Sequence, residues 1–146
     1  MKVEQSTELK AFNRIYKELD ETYHRIALNL NLSDSAFIIL YAIAEIGENC
    51  RQKDIAERFS VSKQTINTSV RKMESQGLVE LKAVNSRDIQ IVLTPKGQKF
   101  IEEKIVPVIE TEKSVFKEMG KKDSKELLRL TQKYVDIFKK KSSEIL

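Results

Sequence analysis

Between residues 7 and 30, apolar side chains recur in steps of three and four: Leu9, Phe12, Tyr16, Leu19, Tyr23, Ile26 and Leu30. The spacing keeps them on one side of a 3.6-residue turn and predicts a long helix with a continuous apolar seam. At about 1.5 Å per residue the helix runs for roughly 35 Å, more than a small helix-turn-helix unit can cover. Either a second subunit or the rest of its own domain covers the excess. Residues 29–35 (NLNLSDS) interrupt the pattern with turn and cap residues, and residues 36–46 are almost wholly apolar. That run predicts a helix buried on most sides and ended by Gly47. A short connector over residues 48–51 leads to QKDIAERF, residues 52–59, whose Ile55, Ala56 and Phe59 share one helical face.

Residues 59–77 (FSVSKQTINTSVRKMESQG) read as a tight turn and a second helix. Ser62 is placed to be its N-cap, and Ile66, Val70 and Met73 follow at i, i+4 and i+7 as a narrow apolar stripe. The opposite face carries Lys63, Gln64, Asn67, Thr68 and Arg71. Amides, hydroxyls and cations stand there in place of the Glu/Lys pairs common on solvated helices. Such a face suits a DNA major groove; a plain solvated helix is the other reading. Gly77 fits the left-handed position after the helix.

The period then drops to two. Residues 78–84 (LVELKAV) and 89–94 (IQIVLT) alternate and are rich in β-branched side chains, with Asn85, Ser86, Arg87 and Asp88 as a polar turn between them. Helix, turn, helix and hairpin in that order predict a winged helix-turn-helix. Thr94 and Pro95 open another helix. Its apolar set runs from Phe100 to Met119, and Pro107 predicts a kink near residues 105–106. Gly120 ends the tract, and Asp123 with Glu126 makes a capping-box-like start for a last helix carrying Leu127, Leu128, Leu130, Tyr134, Val135, Ile137 and Phe138.

Charge adds a direction to this pattern. The 146-residue chain carries a net +4, but residues 51–100 hold 10 Lys/Arg against 5 Asp/Glu, while residues 1–50 hold 5 against 8. The basic excess sits where phosphate contacts would be needed. With 40% apolar and 33% charged residues the composition is that of one globular domain. No run of 18 apolar residues occurs and MKVEQSTELK has no signal-peptide core, so a cytoplasmic protein without membrane contact is expected.

The chemistry of sites narrows further. His24 and Cys50 are the sole histidine and cysteine and lie far apart, so no zinc site, and no cofactor, is expected from one subunit. Cys50 is expected to be a packing residue. No phosphate-cradling glycine loop and no Ser/His/Asp signature is present, which argues against an enzyme.

The stretch from Arg51 to Phe100 resembles the MarR (multiple antibiotic resistance regulator) family of transcriptional regulators. The resemblance is carried by Asp54-Ile55-Ala56-Glu57-Arg58, Val61-Ser62-Lys63, Gly77-Leu78-Val79 and Leu93-Thr94-Pro95-Lys96-Gly97. It implies a mainly α fold with a small β-hairpin wing, all of residues 1–146 forming one domain. Residues 32–100 would be the DNA-binding winged part, and residues 1–31 and 101–146 the helices of a homodimer. It also implies a repressor of a pseudo-palindromic operator in double-stranded DNA. Ser62, Gln64, Thr65, Asn67 and Thr68 then take base-edge and phosphate positions beside Lys63 and Arg71, with Arg87 at the wing tip. Two positions depart from the pattern: Asn85 stands where the wing motif usually has Asp, and Thr68 where a basic residue is common.

Phe12, Tyr16, Tyr23, Phe37 and Tyr41 are candidates for a pocket that takes a small aromatic effector, as the resemblance implies; by spacing alone, aromatics of this kind are more often simply core residues. A different class of function also fits the fold, a winged-helix dimer that acts through protein partners without specific DNA binding.

Overall fold

The computed structural model describes residues 1–146 and divides into two compact units, Met1–Ile105 and Val106–Leu146. The first unit opens with α1 (Thr7–Asn29), whose first turn is capped by Ser6, its hydroxyl accepting the Leu9 N–H at 3.1 Å. Asn31 takes a left-handed conformation (φ 58°), letting Leu32 N–H reach the Ala27 carbonyl at 2.9 Å and close the helix end. α2 (Asp34–Ile46) starts on Ser33, ends at Gly47, and supplies the centre of the core with Ile39, Leu40, Ala42 and Ile43. The apolar run predicted as a buried helix is one.

α3 (Gln52–Phe59) and α4 (Lys63–Ser75) are joined by a turn made tight by Ser60 in the left-handed region. At the head of α3 the Asp54 carboxylate accepts the Arg51 N–H at 3.0 Å. Ile55 of α3 and Ile66, Val70 and Met73 of α4 are buried together with α2, so the stripe read from the spacing is the packed face. Gly77 (φ 73°) then turns the chain into β1 (Val79–Ala83), which pairs antiparallel with β2 (Ile89–Leu93) in the register Val79↔Leu93 to Ala83↔Ile89.

The residues before α3 do more than connect. Cys50 carbonyl accepts the Ile91 N–H at 2.8 Å, and Arg51 bridges to Gln90 as a short second antiparallel partner of β2. The wing is therefore stitched at its root to the segment between α2 and α3, which the local pattern could not reveal.

After β2, the Thr94 hydroxyl caps α5 (Pro95–Phe100) by accepting the Gly97 N–H at 3.0 Å. Gly97 lies against the Leu78 backbone: a Cβ there would come 1.9 Å from the Leu78 carbonyl oxygen. Lys96 Nζ reaches the Gln76 carbonyl at 2.8 Å, tying α5 to the end of α4. The distortion expected near residues 105–106 takes the form of a π-helical turn, Ile101–Ile105, with Ile101 and Ile105 buried. A wider turn accommodates a chain about to meet a proline that can offer no N–H.

The second unit is α6 (Val106–Ser142), broken at Gly120, where φ 85° and ψ 162° leave the helical region. Helical geometry resumes directly after Gly120, so Asp123 and Glu126 lie inside the last helix and do not cap its start, contrary to the expectation from their spacing. Ser124 Oγ donates to the Phe116 carbonyl across the break at 3.0 Å. No residue of α6 is buried, and Val115, Phe116, Met119, Leu127, Leu128, Leu130, Ile137 and Phe138 are all exposed. No single helix of the chain is long and apolar enough to cross a membrane.

Candidate nucleic-acid interface

α4 owes its position to both ends. Ser62 Oγ accepts the Thr65 N–H at 3.2 Å and donates to Thr65 Oγ1 at 2.8 Å, while Gly77 and Lys96 secure the far end. With Ile66, Val70 and Met73 turned inward, the outward line of the helix is Gln64, Thr68, Arg71 and Ser75, at i, i+4, i+7 and i+11. Lys63 and Lys72 are exposed, and Thr65 and Asn67 are half-buried. Of the eight residues expected at an interface, seven thus lie on or at the head of one helix; Ser75 and Lys72, recoverable from the same helical spacing, complete the face.

The hydroxyls of this face are already engaged. Ser62 and Thr65 bond each other in the cap, and Thr68 Oγ1 donates to the Gln64 carbonyl at 3.0 Å. The groups left for an outside acceptor or donor are the Gln64 and Asn67 amides and the cations. Lys63, Arg71, Lys72 and Arg87 have no ion-pair partner in the chain and present unneutralised charge.

The eighth residue, Arg87, stands exposed at the wing tip. The tip is shaped by Asn85, whose Oδ1 accepts the N–H groups of Arg87 at 2.8 Å and Asp88 at 3.0 Å. Asp88 anchors it: its Oδ2 lies 3.5 Å from Arg51 Nη1 and 3.4 Å from Lys53 Nζ. Partial burial disfavours the Asp88 carboxylate, but hydrogen bonds from Lys53 and Asn85 and the charges of Lys53 and Arg51 outweigh it and hold the carboxyl below its usual value. The clamp of Asp88, Arg51 and Lys53 escaped sequence reasoning because its halves are more than thirty residues apart.

The five candidate pocket aromatics do not form one group. Phe12 and Tyr16 stack at 6.4 Å on the exposed half of α1, whereas Tyr23, Phe37 and Tyr41 continue as a path of ring contacts to Phe59 of α3, at 6.3, 6.0 and 6.4 Å. Phe37 is buried, so part of the set is core. His24 Nδ1 pairs with Asp34 Oδ1 at 2.9 Å, joining α1 to α2. Cys50 is fully buried, and burial first, then the Asp54 charge, pushes its thiol up to about 11. A thiol held protonated is a poor nucleophile, in keeping with a packing role.

Residues 30–87 match the family model described as the MarR family. No curated protein matches the sequence. Among solved structures, the chain is similar to NMB1585, a MarR family regulator from Neisseria meningitidis (TM-score 0.82, 22% identity, 97% of this chain and 100% of that one). The chain has the winged-helix fold of this regulator. MepR of Staphylococcus aureus in a complex with DNA (TM-score 0.71, 18% identity, 92% and 99% covered) shares the fold. So does S. aureus MarR in complex with salicylate and kanamycin (TM-score 0.68, 19% identity, 90% of each chain).

Against the MarR pattern, the two departures have distinct effects. Asn85 keeps the turn through its carbonyl oxygen but brings no charge, so Arg87 is left without the acidic neighbour that an Asp would supply. Thr68 replaces a cation by a short side chain on the outward line of α4, and its hydroxyl is turned back onto the helix.

Proposed function

We propose that this chain is a cytoplasmic, homodimeric, sequence-specific DNA-binding repressor of transcription, without enzymatic activity, that recognises a pseudo-palindromic operator. In this reading α4 enters the major groove, with Gln64, Asn67 and Arg71 at base edges and Ser62, Lys63, Thr65 and Thr68 on the same approach, while Arg87 reaches the adjacent minor groove. The observation that carries the reading is the convergence on one helix and one hairpin tip of four unpaired cations with two free amides. A charged face of that kind gains affinity from a phosphate backbone through the counterions it releases.

Dimerisation is supported by the apolar side chains of α1 and α6 exposed in the single chain, Ile15, Tyr16 and Leu19 in the one and Leu128 and Phe138 in the other. Residues 1–31 and 101–146 are the dimerisation part in this reading, and residues 32–100 the DNA-binding part. A small aromatic molecule is the class of effector that would suit the connected rings of Tyr23, Phe37 and Tyr41 and relieve repression.

The test is a mobility-shift assay with the DNA that flanks the protein's own gene, over a series of salt concentrations, for the wild type and Arg87→Ala. We expect a shift that weakens with salt, and a salt slope reduced by about 1 in the variant. An unchanged affinity and slope would remove Arg87 from the interface. No shift, with a protein partner recovered instead, would favour the interaction-module reading.

A further inference from the structure

Thr68 is the middle residue of the outward line of α4, between Gln64 and Arg71, and it is exposed. A β-branched residue suits an exposed mid-helix position less well than a straight-chain one. Its hydroxyl donates to the Gln64 carbonyl one turn earlier, at 3.0 Å, so the proton is spent inside the helix. The Cβ of threonine bears one other heavy group. With the hydroxyl folded back against the preceding turn, the methyl is what the centre of the face offers to a partner. Neither flanking residue duplicates it, since Gln64 ends in an amide and Arg71 in a guanidinium. Thr65, the nearest other threonine, is half-buried and engaged with the Ser62 hydroxyl.

In the major groove one base alone presents an apolar group, the C5-methyl of thymine. We propose that Thr68 is a specificity-determining residue whose methyl packs on a thymine methyl, so that each half-site carries an A·T pair at the position facing the centre of α4. The proposal rests on the DNA-binding reading above. It differs from a phosphate or base-edge role for the Thr68 hydroxyl, because the group that acts is the one the helix does not use.

The full-length protein is used to select binding duplexes from a randomised pool, and each thymine of the recovered site is then exchanged singly for deoxyuridine, which lacks only the methyl. For the wild type we expect one thymine per half-site at which the exchange lowers affinity about fourfold, the worth of one methyl group withdrawn from water. Thr68→Val keeps the methyl and should retain that sensitivity; Thr68→Ser keeps the hydroxyl and should lose it. Circular dichroism establishes that both variants fold. A flat deoxyuridine scan for the wild type, sensitivity that survives in Thr68→Ser, or binding kept by Thr68→Ser and lost by Thr68→Val would each overturn the proposal while leaving DNA binding intact. Recovery of no duplex at all would overturn the DNA-binding reading itself, and this proposal with it.

Discussion

The winged unit and the C-terminal helix obey the same helical periodicity and reach opposite outcomes. Ile39, Leu40, Ile55, Ile66 and Val70 are fully buried within the first unit, whereas α6 leaves every one of its side chains at least partly exposed. An apolar stripe is only an instruction to be covered. In α2 and α4 the cover is local in the fold. In α6, and in the N-terminal half of α1, the single chain exposes what it would be costly to leave in water. The difference teaches that the stability of the winged unit should be independent of concentration, while that of the long helices should rise with it.

The sharpest break of this contrast is Gly97→Ala. A Cβ 1.9 Å from the Leu78 carbonyl oxygen requires backbone movement where β1, α4 and α5 meet. We expect a loss of about 3 kcal/mol or more in denaturant unfolding, at any protein concentration. Next in size, Leu128→Glu alters a side chain that is 60% exposed in the single chain. It should weaken self-association at least about tenfold in sedimentation equilibrium and leave the far-UV spectrum of the winged unit unchanged. If the two substitutions behaved alike, the division between an autonomous and a partner-dependent region would fail.

Ser62→Ala tests the near end of α4. Removing the cap should cost about 1 kcal/mol and fray the first turn, measured by thermal unfolding and by faster amide exchange at residues 63–66. The smallest effect belongs to the wing clamp. Because the folded Asp88 carboxyl lies below its usual value, its contribution is present above the ordinary carboxylate range and disappears as pH falls through the lowered value. The unfolding midpoints of the wild type and Asp88→Asn should therefore differ at neutral pH and converge in acid.

What the sequence made legible follows from how far apart the deciding groups lie. Ser62, Gly77 and Thr94 act on neighbours within a few residues, and each does in the structure what its position implied. The core face of α4 follows from a period of 3.6, and the existence of the two strands from a period of two. Long-range pairings were illegible: the bridge from Arg51 to Gln90, the salt links of Asp88 to Arg51 and Lys53, and the contact of Gly97 with Leu78 join residues that no local pattern relates. The Asp123–Glu126 pair misled for the complementary reason, since Gly120 had already turned the chain and left the cap nothing to start. At the candidate interface the cations and amides were evident from helical spacing. That the hydroxyls of Thr65 and Thr68 are committed within the helix was not, because a rotamer leaves no trace in residue order.

The short bond between the Cys50 carbonyl and Ile91 has a mechanical meaning. It fastens a wing, which by itself would be a two-stranded flap, to the chain that runs directly into α3, and Gln90 and Asn49 repeat the fastening at 2.9 Å. Wing and α3 are therefore held as one tile. If an effector switches a dimer of this protein, as proposed above, its natural action is on the distance or angle between two such tiles.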